Sequence, residues 1–210
     1  MDDTAANGAA AEKVDRRRRP QRKVEILQAV MALLEVGDGK LTTAALARHM
    51  KISEAALYRH FPGKAAMFLA LADYIEDHLL QPINQLMSKP GSTVTNLERL
   101  LSYHLRFLKD HPGLCRVFLV EGVAKEAPGI DERMGGITRK YVAQIKQIIR
   151  RGQAGGEIPP ELPVEAAAQL FVGLVQSRAL AYVQSGFKHE PDTDLLDLIS
   201  LLRRAYLAPF

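Results

Sequence analysis

The stretch TTAALARHMKISEAALYRHFPGK, residues 42–64, has the pattern of two short helices separated by a tight turn. Thr42 or Thr43 suits the N-cap of the first helix and Ser53 that of the second, because hydroxyl oxygens accept backbone N–H groups there. A Pro-Gly pair ends the second helix, which is predicted over 54–61. Two such helices joined by about three or four residues form a helix-turn-helix, whose second helix enters the major groove of DNA.

The predicted second helix carries side chains suited to two kinds of DNA contact. Small alanines near its start let the backbone approach the bases and place methyl groups against thymine. Glu54 has two possible roles. It either accepts a hydrogen bond from a cytosine amine, or its negative charge only interacts favourably with the helix dipole at the N-terminus. Later side chains are placed to reach phosphate oxygens, whereas Leu57 and Phe61 are predicted core residues. The residues predicted here to contact DNA are Thr42, Thr43, Ser53, Glu54, Ala55, Ala56, Tyr58, Arg59, His60 and Lys64.

The positive charge of the chain is concentrated in its first third. Residues 1–64 hold 12 Lys and Arg against 8 Asp and Glu, whereas residues 65–210 hold 16 of each, so the net charge of +4 comes from the first segment. This asymmetry favours a polyanionic partner, nucleic acid before membrane, although solvated tails also contain charge runs. The block RRRRPQRK is therefore predicted to be a DNA-contacting arm, in which Arg17, Arg18 and Arg19 meet phosphates or the minor groove.

The rest of the chain shows helical periodicity, with no strand-like alternation of useful length. The sequence predicts an all-α protein of about nine helices, the first three short and basic and the other six longer, apolar and net neutral. The later helices are predicted at 64–88, where Pro82 bends or splits the helix, and at 93–110, 112–124, 129–153, 163–187 and 193–207. The predicted domains are a disordered basic arm at 1–19, a helix-turn-helix DNA-binding domain at 20–66 and a helical dimerisation and regulatory domain at 67–210.

Several functional classes find no support in the sequence. A single cysteine, Cys115, excludes an internal disulfide and fits a reducing cytoplasm. The most apolar segment, 164–183, is interrupted by charged and amide side chains and is not a predicted membrane span. No nucleophile elbow, P-loop or zinc-ligand spacing occurs, so neither an enzyme nor a metal or other cofactor is predicted. The acidic cluster DYIEDH at 73–78 is interpreted as a solvated helix face rather than a site for a hard cation.

Residues 24–71 resemble the DNA-binding domain of the TetR family of bacterial regulators. The shared features are threonine at the start of the first helix of this motif, LA within it, serine before the helix at 54–61 and the run LYRHFPGK. The resemblance implies a larger helical domain behind the first and a homodimer formed through the last two long helices. It also implies phosphate contacts from Thr43, Tyr58, His60 and Lys64. Ala44 stands where some members carry a base-reading arginine, which shifts base readout toward the helix at 54–61 and the arginine arm.

Segments further along the chain resemble the nucleoid-occlusion branch of this family. They are MFLALADYIEDHL at 67–79, HPGL at 111–114 and SGFKHEPDTD at 185–194. The resemblance implies a DNA-bound dimer that contacts the C-terminal tail of the division protein FtsZ and blocks ring assembly over the chromosome. The tail would dock between the fourth and fifth helices, at positions that match Tyr74, Pro82, Tyr103, Arg106 and His111. Pro82 stands where the resemblance places an arginine, so Arg106 or Lys109 is the candidate replacement cation.

Two other hypotheses stay open at this point. The first is a ligand-responsive repressor of the same family, with a small-molecule inducer in a pocket lined by Phe107, Phe118, Met134, Tyr141 and Phe171. Because the second domain is rich in Leu, Ala and Val and poor in polar groups, a filled core is favoured over such a pocket. The second is a membrane-surface protein, which ranks last because the basic arm adjoins a helix-turn-helix rather than a basic amphipathic helix. The predicted partners are double-stranded DNA and a second copy of the chain, with no membrane, and the predicted location is cytoplasmic and nucleoid-associated.

Overall fold

The computed structural model describes residues 20–36, 41–87, 91–119 and 127–207. Within these residues the chain is all-α, with nine helices and no strand, which confirms the predicted fold class. The predicted arm at 1–19 lies outside the described residues. The helices are α1 (20–35), α2 (Thr43–His49), α3 (Glu54–Tyr58), α4 (Lys64–Ile75, the π-helical turn Glu76–Leu80 and Gln81–Met87), α5 (Thr93–Asp110), α6 (Pro112–Leu119), α7 (Ile130–Ala154), α8 (Val164–Gln184) and α9 (Leu195–Leu207).

Thr42, one of the two threonines that the sequence offers, caps α2, and Ser53 caps α3 as predicted. Thr42 Oγ1 accepts the backbone N–H of Ala45 at 3.1 Å, and Ser53 Oγ accepts that of Ala56 at 3.1 Å. Each bond satisfies an N–H group that the first helical turn leaves without a partner, which typically stabilises a helix by about 1 kcal/mol. The turn between the two helices holds Lys51 in the left-handed region with φ 54°, an uncommon conformation for a non-glycine residue.

The third helix is shorter than predicted. It ends at Tyr58 rather than Phe61, so the predicted C-terminal end was wrong by about one turn. The reason is Pro62, whose ring disfavours the helical conformation for the residue before it. Phe61 leaves the helix and, like Leu57, is buried in the core. Both residues are therefore core residues, as predicted, and they anchor α3 on its inner side.

The long fourth helix is distorted next to Pro82 but is not split there. Proline has no N–H for the carbonyl four residues earlier, so a regular α-helix cannot pass through it unchanged. The chain forms the π-helical turn Glu76–Leu80 and continues as Gln81–Met87. Such a turn widens the helix locally and often marks a functional position.

Helix α8 is the central helix of the C-terminal part and packs against α5, α6 and α7. Its buried residues include Ala168, Phe171 and Val172. By length and composition alone α8 also resembles a membrane span. A core helix of a domain passes the same test, and the contacts with three neighbouring helices explain the apolar side of α8 without a membrane.

The N-terminal and C-terminal parts share one continuous cluster of buried residues. The predicted boundary between residues 66 and 67 falls inside α4, which starts next to α3 and ends in the C-terminal part. Helix α6 also approaches α1 closely: a Cβ added at Gly113 would lie 2.1 Å from the carbonyl oxygen of Met31. No side chain fits in that space, so glycine sets the distance between α6 and α1. The two-domain division stays a prediction.

Candidate functional site

One side of α3 is anchored and the other side is accessible. Leu57 is fully buried, whereas Ala55, Tyr58 and Arg59 are exposed and Ala56 is half-buried. The exposed side therefore carries small residues in the first turn and larger polar residues after it. This is the order that a helix needs if its N-terminal end approaches base edges and its C-terminal end approaches the phosphates.

A side-chain hydrogen bond joins the two helices of the motif. Thr43 Oγ1 donates to Glu54 Oε2 at 2.7 Å. Because the bond links the first turn of α2 to the first turn of α3, it helps to fix the angle between them. It also engages one carboxylate oxygen of Glu54, so a cytosine amine would have to compete for that oxygen or use the other one. No sequence pattern indicated this bond.

The residues predicted to contact phosphates surround α3. Thr42 and Ser53 are exposed, but their hydroxyl oxygens already cap the helices. Tyr58 is 48% exposed, and Lys64 at the start of α4 is half-buried, as are Thr43 and His60. The predicted contacts of Arg17, Arg18 and Arg19 lie outside the described residues. Each of these described residues is thus exposed or half-buried, and their roles on DNA stay predictions.

A second group of side chains meets where α4 packs on α5. This aromatic cluster consists of Tyr74, His78, Tyr103, Phe107 and His111. The rings of Tyr74 and His78 stack with centroids 3.9 Å apart, and those of Phe107 and His111 stack at 4.4 Å. The hydroxyl of Tyr74 lies 3.2 Å from His111 Nε2 and joins the two helices. Three of the five positions predicted for partner binding, Tyr74, Tyr103 and His111, therefore lie together.

The other two predicted partner-binding residues lie on the two helices that form the cluster. Arg106 is exposed on α5, about one turn after Tyr103. Pro82 is half-buried on α4, about two turns after Tyr74. The cluster itself includes His78, which the sequence analysis had placed only in an acidic helix face.

Both histidines of the cluster have a defined proton position. His111 Nδ1 lies 2.9 Å from the carbonyl oxygen of Phe107, and His78 Nδ1 lies 2.9 Å from that of Tyr74. Because a carbonyl oxygen only accepts, each Nδ1 carries a proton and donates it. In a neutral ring, His111 Nε2 then accepts the O–H of Tyr74. Burial raises the pKa of Tyr74 and of Tyr103, so both hydroxyl groups stay protonated donors.

Pro82 contributes to the cluster through the backbone. Since Pro82 has no N–H, the carbonyl of His78 loses its usual helical donor. The hydroxyl of Tyr103 donates to this carbonyl at 2.5 Å and so ties α5 to the π-helical turn. Pro82, which stands where the resemblance places an arginine, thus leaves the His78 carbonyl open to the hydroxyl of Tyr103. The only sequence signal for this hydrogen bond was a proline four residues after His78.

The acidic side of α4 is ion-paired with α7. Arg133 donates to Asp73 Oδ1 at 2.7 Å and also to Glu76, and Lys140 donates to Glu76 as well. Hydrogen bonds from Lys140 and Arg133 lower the pKa of Glu76. The interpretation of residues 73–78 as a merely solvated face was thus incomplete, because two of their carboxylates bind cations of α7. In the part of the chain that is described, no group of three or more His, Cys, Asp or Glu is arranged to hold a metal ion.

A cavity of about 450 Å³ lies between α5, α7 and α8. Phe107, Met134 and Tyr141 line it, as predicted for a ligand pocket. Phe171 is instead fully buried in the core and does not line the cavity, and the side chain of Phe118 lies outside the described residues. The expectation of a filled core was wrong, because composition reports which residues are apolar but not how completely their side chains fill the space between helices.

His104 and Tyr141 form a buried pair in the wall of this cavity. Nδ1 of His104 and the hydroxyl oxygen of Tyr141 are 2.7 Å apart. Both side chains are buried, and burial lowers the pKa of His104 to about 3 and raises that of Tyr141. The other ring nitrogen, Nε2, has no hydrogen-bond partner. The sequence analysis predicted Tyr141 but missed His104.

Comparison with known proteins identifies the class to which this arrangement belongs. A family model described as bacterial regulatory proteins, tetR family, matches residues 26–71. A second, described as a tetracyclin repressor-like C-terminal domain, matches residues 91–206. The protein named nucleoid occlusion factor SlmA in Aliivibrio fischeri is 37% identical over 188 residues, which cover 88% of this chain and 95% of that protein.

The chain belongs to the TetR family, in its SlmA branch. The SlmA protein of Marinomonas sp. is 34% identical over 171 residues, covering 81% of this chain and 87% of the relative. Among solved structures, the MbdR regulator from Azoarcus sp. CIB superposes with a TM-score of 0.75 at 18% identity, over 89% of this chain and all of that one. At this identity the superposition shows a shared fold alone.

Proposed function

We propose that this protein is a nucleoid occlusion factor, which binds chromosomal DNA as a dimer and inhibits assembly of the FtsZ ring. The observation that carries the proposal is the aromatic cluster between α4 and α5, in a chain 34–37% identical to proteins named SlmA. Three of the five positions that the resemblance assigns to partner binding meet in that cluster, next to a complete helix-turn-helix. The protein is accordingly expected on the nucleoid in the cytoplasm.

DNA is bound through the exposed side of α3 in the major groove. Ala55 and Ala56 approach the base edges, and Tyr58 and Lys64 contact phosphates on either side. The exposure of this side, with Leu57 anchoring the opposite one, supports the assignment. Deleting residues 1–19 tests the arginine arm: affinity and its salt dependence both fall if the arm contacts phosphates, and an unchanged salt dependence would contradict that role.

A second copy of the chain packs on the outward sides of α8 and α9. Large apolar side chains are exposed there, which is typical of a surface that another protein covers. On α8, Gly173, Ser177 and Ala181 follow at four-residue spacing, and a Cβ added at Gly173 would meet nothing within 4 Å, so another helix could approach closely. The exposed leucines on the two helices are Leu170, Leu180, Leu196, Leu201 and Leu207.

The C-terminal tail of FtsZ docks on the aromatic cluster. The half-buried rings supply apolar surface, and an acidic tail needs at least one cation beside them. Of the two candidates on α5, Lys109 is already paired with Glu190 at 2.6 Å and with Asp192 at 3.4 Å. We therefore assign the role to Arg106, which is exposed.

Titration with a labelled peptide of the FtsZ C-terminal tail tests this assignment. The variant Arg106→Ala should bind the peptide several-fold more weakly and keep wild-type affinity for DNA. Arg99→Ala, an equal change of charge at another exposed position of α5, is the matched control and should leave both affinities unchanged. Tyr58→Ala should show the reverse of Arg106→Ala, with DNA binding reduced and peptide binding retained. Equal loss in Arg99→Ala and Arg106→Ala would overturn the docking site.

The cavity supports a second candidate function, a ligand-responsive repressor of the same family. A map of the protein across the genome of its own cell separates the two functions. Many sites spread over the chromosome but missing near the replication terminus are expected for an occlusion factor. One or two sites in a promoter beside the protein's own gene would instead favour the repressor.

A further inference from the structure

We propose that Glu54, held in place by the hydroxyl of Thr43, selects a cytosine in each half-site that the helix-turn-helix recognises. The inference rests on the proposed binding of α3 in the major groove, and it adds the residue that reads a base through a hydrogen bond. It also gives the hydroxyl of Thr43 a role other than the phosphate contact that the resemblance implies. Glu54 is thus the specificity-determining residue, and Thr43 is a positioning residue.

The first argument is the hydrogen bond between the two helices. Thr43 Oγ1 donates to Glu54 Oε2 at 2.7 Å, which joins the first residue of α2 to the first residue of α3. A threonine hydroxyl has a single proton to donate, and a phosphate oxygen needs a donor. While this bond persists, the hydroxyl cannot also donate to a phosphate. The bond therefore commits the Thr43 hydroxyl to Glu54 rather than to the DNA backbone.

The second argument is the state of the other carboxylate oxygen. Glu54 is exposed, and its Oε1 has no hydrogen-bond partner among the residues that the structure describes. Both oxygens belong to one planar group, so the bond at Oε2 limits the directions in which Oε1 can point. A side chain that is ordered before binding loses less conformational entropy when the DNA arrives. Glu54 accordingly presents one acceptor in a restricted orientation.

The third argument is the small size of the neighbouring side chains. Glu54 is followed by Ala55 and Ala56, whose methyl groups can meet a thymine methyl but cannot form hydrogen bonds with base edges. Ala44, which follows Thr43 on α2, is also small and exposed. Glu54 is thus the one residue of 54–56 whose side chain can read a base by hydrogen bonding.

The choice of base follows from the donors in the major groove. An ionised carboxylate only accepts, and the groove offers it the N4 amine of cytosine and the N6 amine of adenine. Adenine carries the acceptor N7 beside its amine, which repels a carboxylate, whereas cytosine has no acceptor there. At any other base the carboxylate would lose water without gaining a partner, so wrong sites are penalised. The base that Glu54 reads should therefore be cytosine.

Selection of sites from random DNA by the full-length protein tests the role of Glu54. The wild type should select one invariant C·G pair in each half-site. Glu54→Gln should replace this pair by A·T, because a glutamine amide forms two hydrogen bonds with N6 and N7 of adenine. Glu161→Gln removes the same charge at an exposed position outside the helix-turn-helix, so this matched control should keep the C·G pair. The same selected sequence in the wild type and in Glu54→Gln would overturn the inference.

The role of Thr43 is tested by fluorescence anisotropy with two duplexes that differ only at this base pair. For the wild type, the dissociation constant should be about tenfold higher with A·T than with C·G, as is typical of one base contact. Thr43→Val removes the hydroxyl and should lower this ratio by about fivefold, the effect of one net hydrogen bond. Thr43→Ser keeps the hydroxyl and should retain the ratio. In a Glu54→Ala background, Thr43→Val should not change the ratio further, because no carboxylate is left to position.

Each contrary result has a different meaning. If Thr43→Val weakens binding to both duplexes equally and keeps their ratio, the hydroxyl contacts a phosphate and its positioning role is wrong. If Glu54→Ala keeps the wild-type ratio, Glu54 does not read this base, and the inference is overturned while DNA binding stands. If the wild type selects no sequence and binds no duplex saturably, the proposed DNA binding is wrong and this inference with it. Thermal unfolding checks that every variant is folded.

Discussion

The helix-turn-helix and the C-terminal cavity share one continuous core but use their polar side chains in opposite ways. In the helix-turn-helix, the hydroxyls of Thr42 and Ser53 accept backbone N–H groups three residues away, and the side chains of Tyr58 and Arg59 are exposed. Around the cavity and the aromatic cluster, the pairs Tyr74–His111 and His104–Tyr141 each join residues 37 positions apart. The bonds of the motif thus act over a few residues and leave Tyr58 and Arg59 exposed, whereas the bonds of the second kind hold distant helices together.

This contrast has a consequence for mutations. A substitution on the exposed side of α3 should change DNA binding and leave the free energy of unfolding nearly unchanged, since surface positions contribute little to stability. A substitution at a buried inter-helix pair should change stability and its dependence on pH. Substitutions on the outward sides of α8 and α9 should act in a third way. These sides expose apolar rather than polar groups, so a charge there should change association of two copies rather than folding.

The largest effect is expected from Leu201→Glu on α9. Leu201 is 62% exposed in the protomer, so a charge there should leave the fold intact and disrupt an interface between two copies. Affinity for a palindromic site should fall at least about 100-fold, because two linked half-site contacts become independent. Sedimentation measures the loss of the dimer, and fluorescence anisotropy measures DNA binding.

A different leucine of α9 serves as the control for this experiment. Leu198 is only 9% exposed and packs inside its own protomer, so Leu198→Glu should unfold the protein instead of separating folded subunits. A dimer that persists in Leu201→Glu would place the interface elsewhere.

The next largest effect concerns the pH dependence contributed by His104. Its pKa is about 3 in the folded state against 6.5 in the unfolded chain, so between these values only the unfolded chain takes up the proton. Stability is therefore unaffected above about pH 6.5 and falls as the pH is lowered, by about 2 kcal/mol from pH 7 to pH 5 for this group. His104→Leu should show a decrease that is smaller by this amount in urea unfolding.

Gly113→Ala should destabilise the contact between the N-terminal and C-terminal parts. The added Cβ would lie 2.1 Å from the Met31 carbonyl oxygen, so α6 must move away from α1. We expect a loss of about 1–2 kcal/mol in the free energy of unfolding, measured by urea denaturation. Gly136→Ala is the matched control on α7, where the nearest atom is the end of the Arg139 side chain at 3.9 Å. That variant should be more stable by about 0.5–1 kcal/mol, because alanine favours the helix.

The smallest effect is expected from Lys64→Ala on the DNA-binding side. Loss of one phosphate contact should weaken binding several-fold at all sequences alike and lower the slope of log K against log salt by about one. Lys188→Ala removes the same charge from an exposed loop far along the chain and should leave both quantities unchanged. A changed base preference in Lys64→Ala, measured by selection from random DNA, would contradict the assignment to a phosphate.

The sequence predicted the helix-turn-helix well because its determinants are local. The cap at Ser53 and the core positions Leu57 and Phe61 were identified from residue type and spacing alone, and the structure confirms them. For the cap of α2 the sequence left Thr42 and Thr43 open, and the structure selects Thr42. Helix α3 ends earlier than predicted because Pro62 disfavours the helical conformation at Phe61. The five positions matched to partner binding came from resemblance, and only packing could show which of them meet.

The sequence by itself determined the helical class, the position of the second helix of the helix-turn-helix and the net positive charge of residues 1–64. These depend on periodicity, caps and composition, each of which acts over a few residues. Only the tertiary structure decided that Tyr103 donates to the carbonyl beside Pro82, that Arg133 and Lys140 pair with Glu76, and that a cavity next to His104 stays open. The physical reason is that these features depend on how side chains from distant segments fill the space between packed helices, and no local pattern specifies that fit.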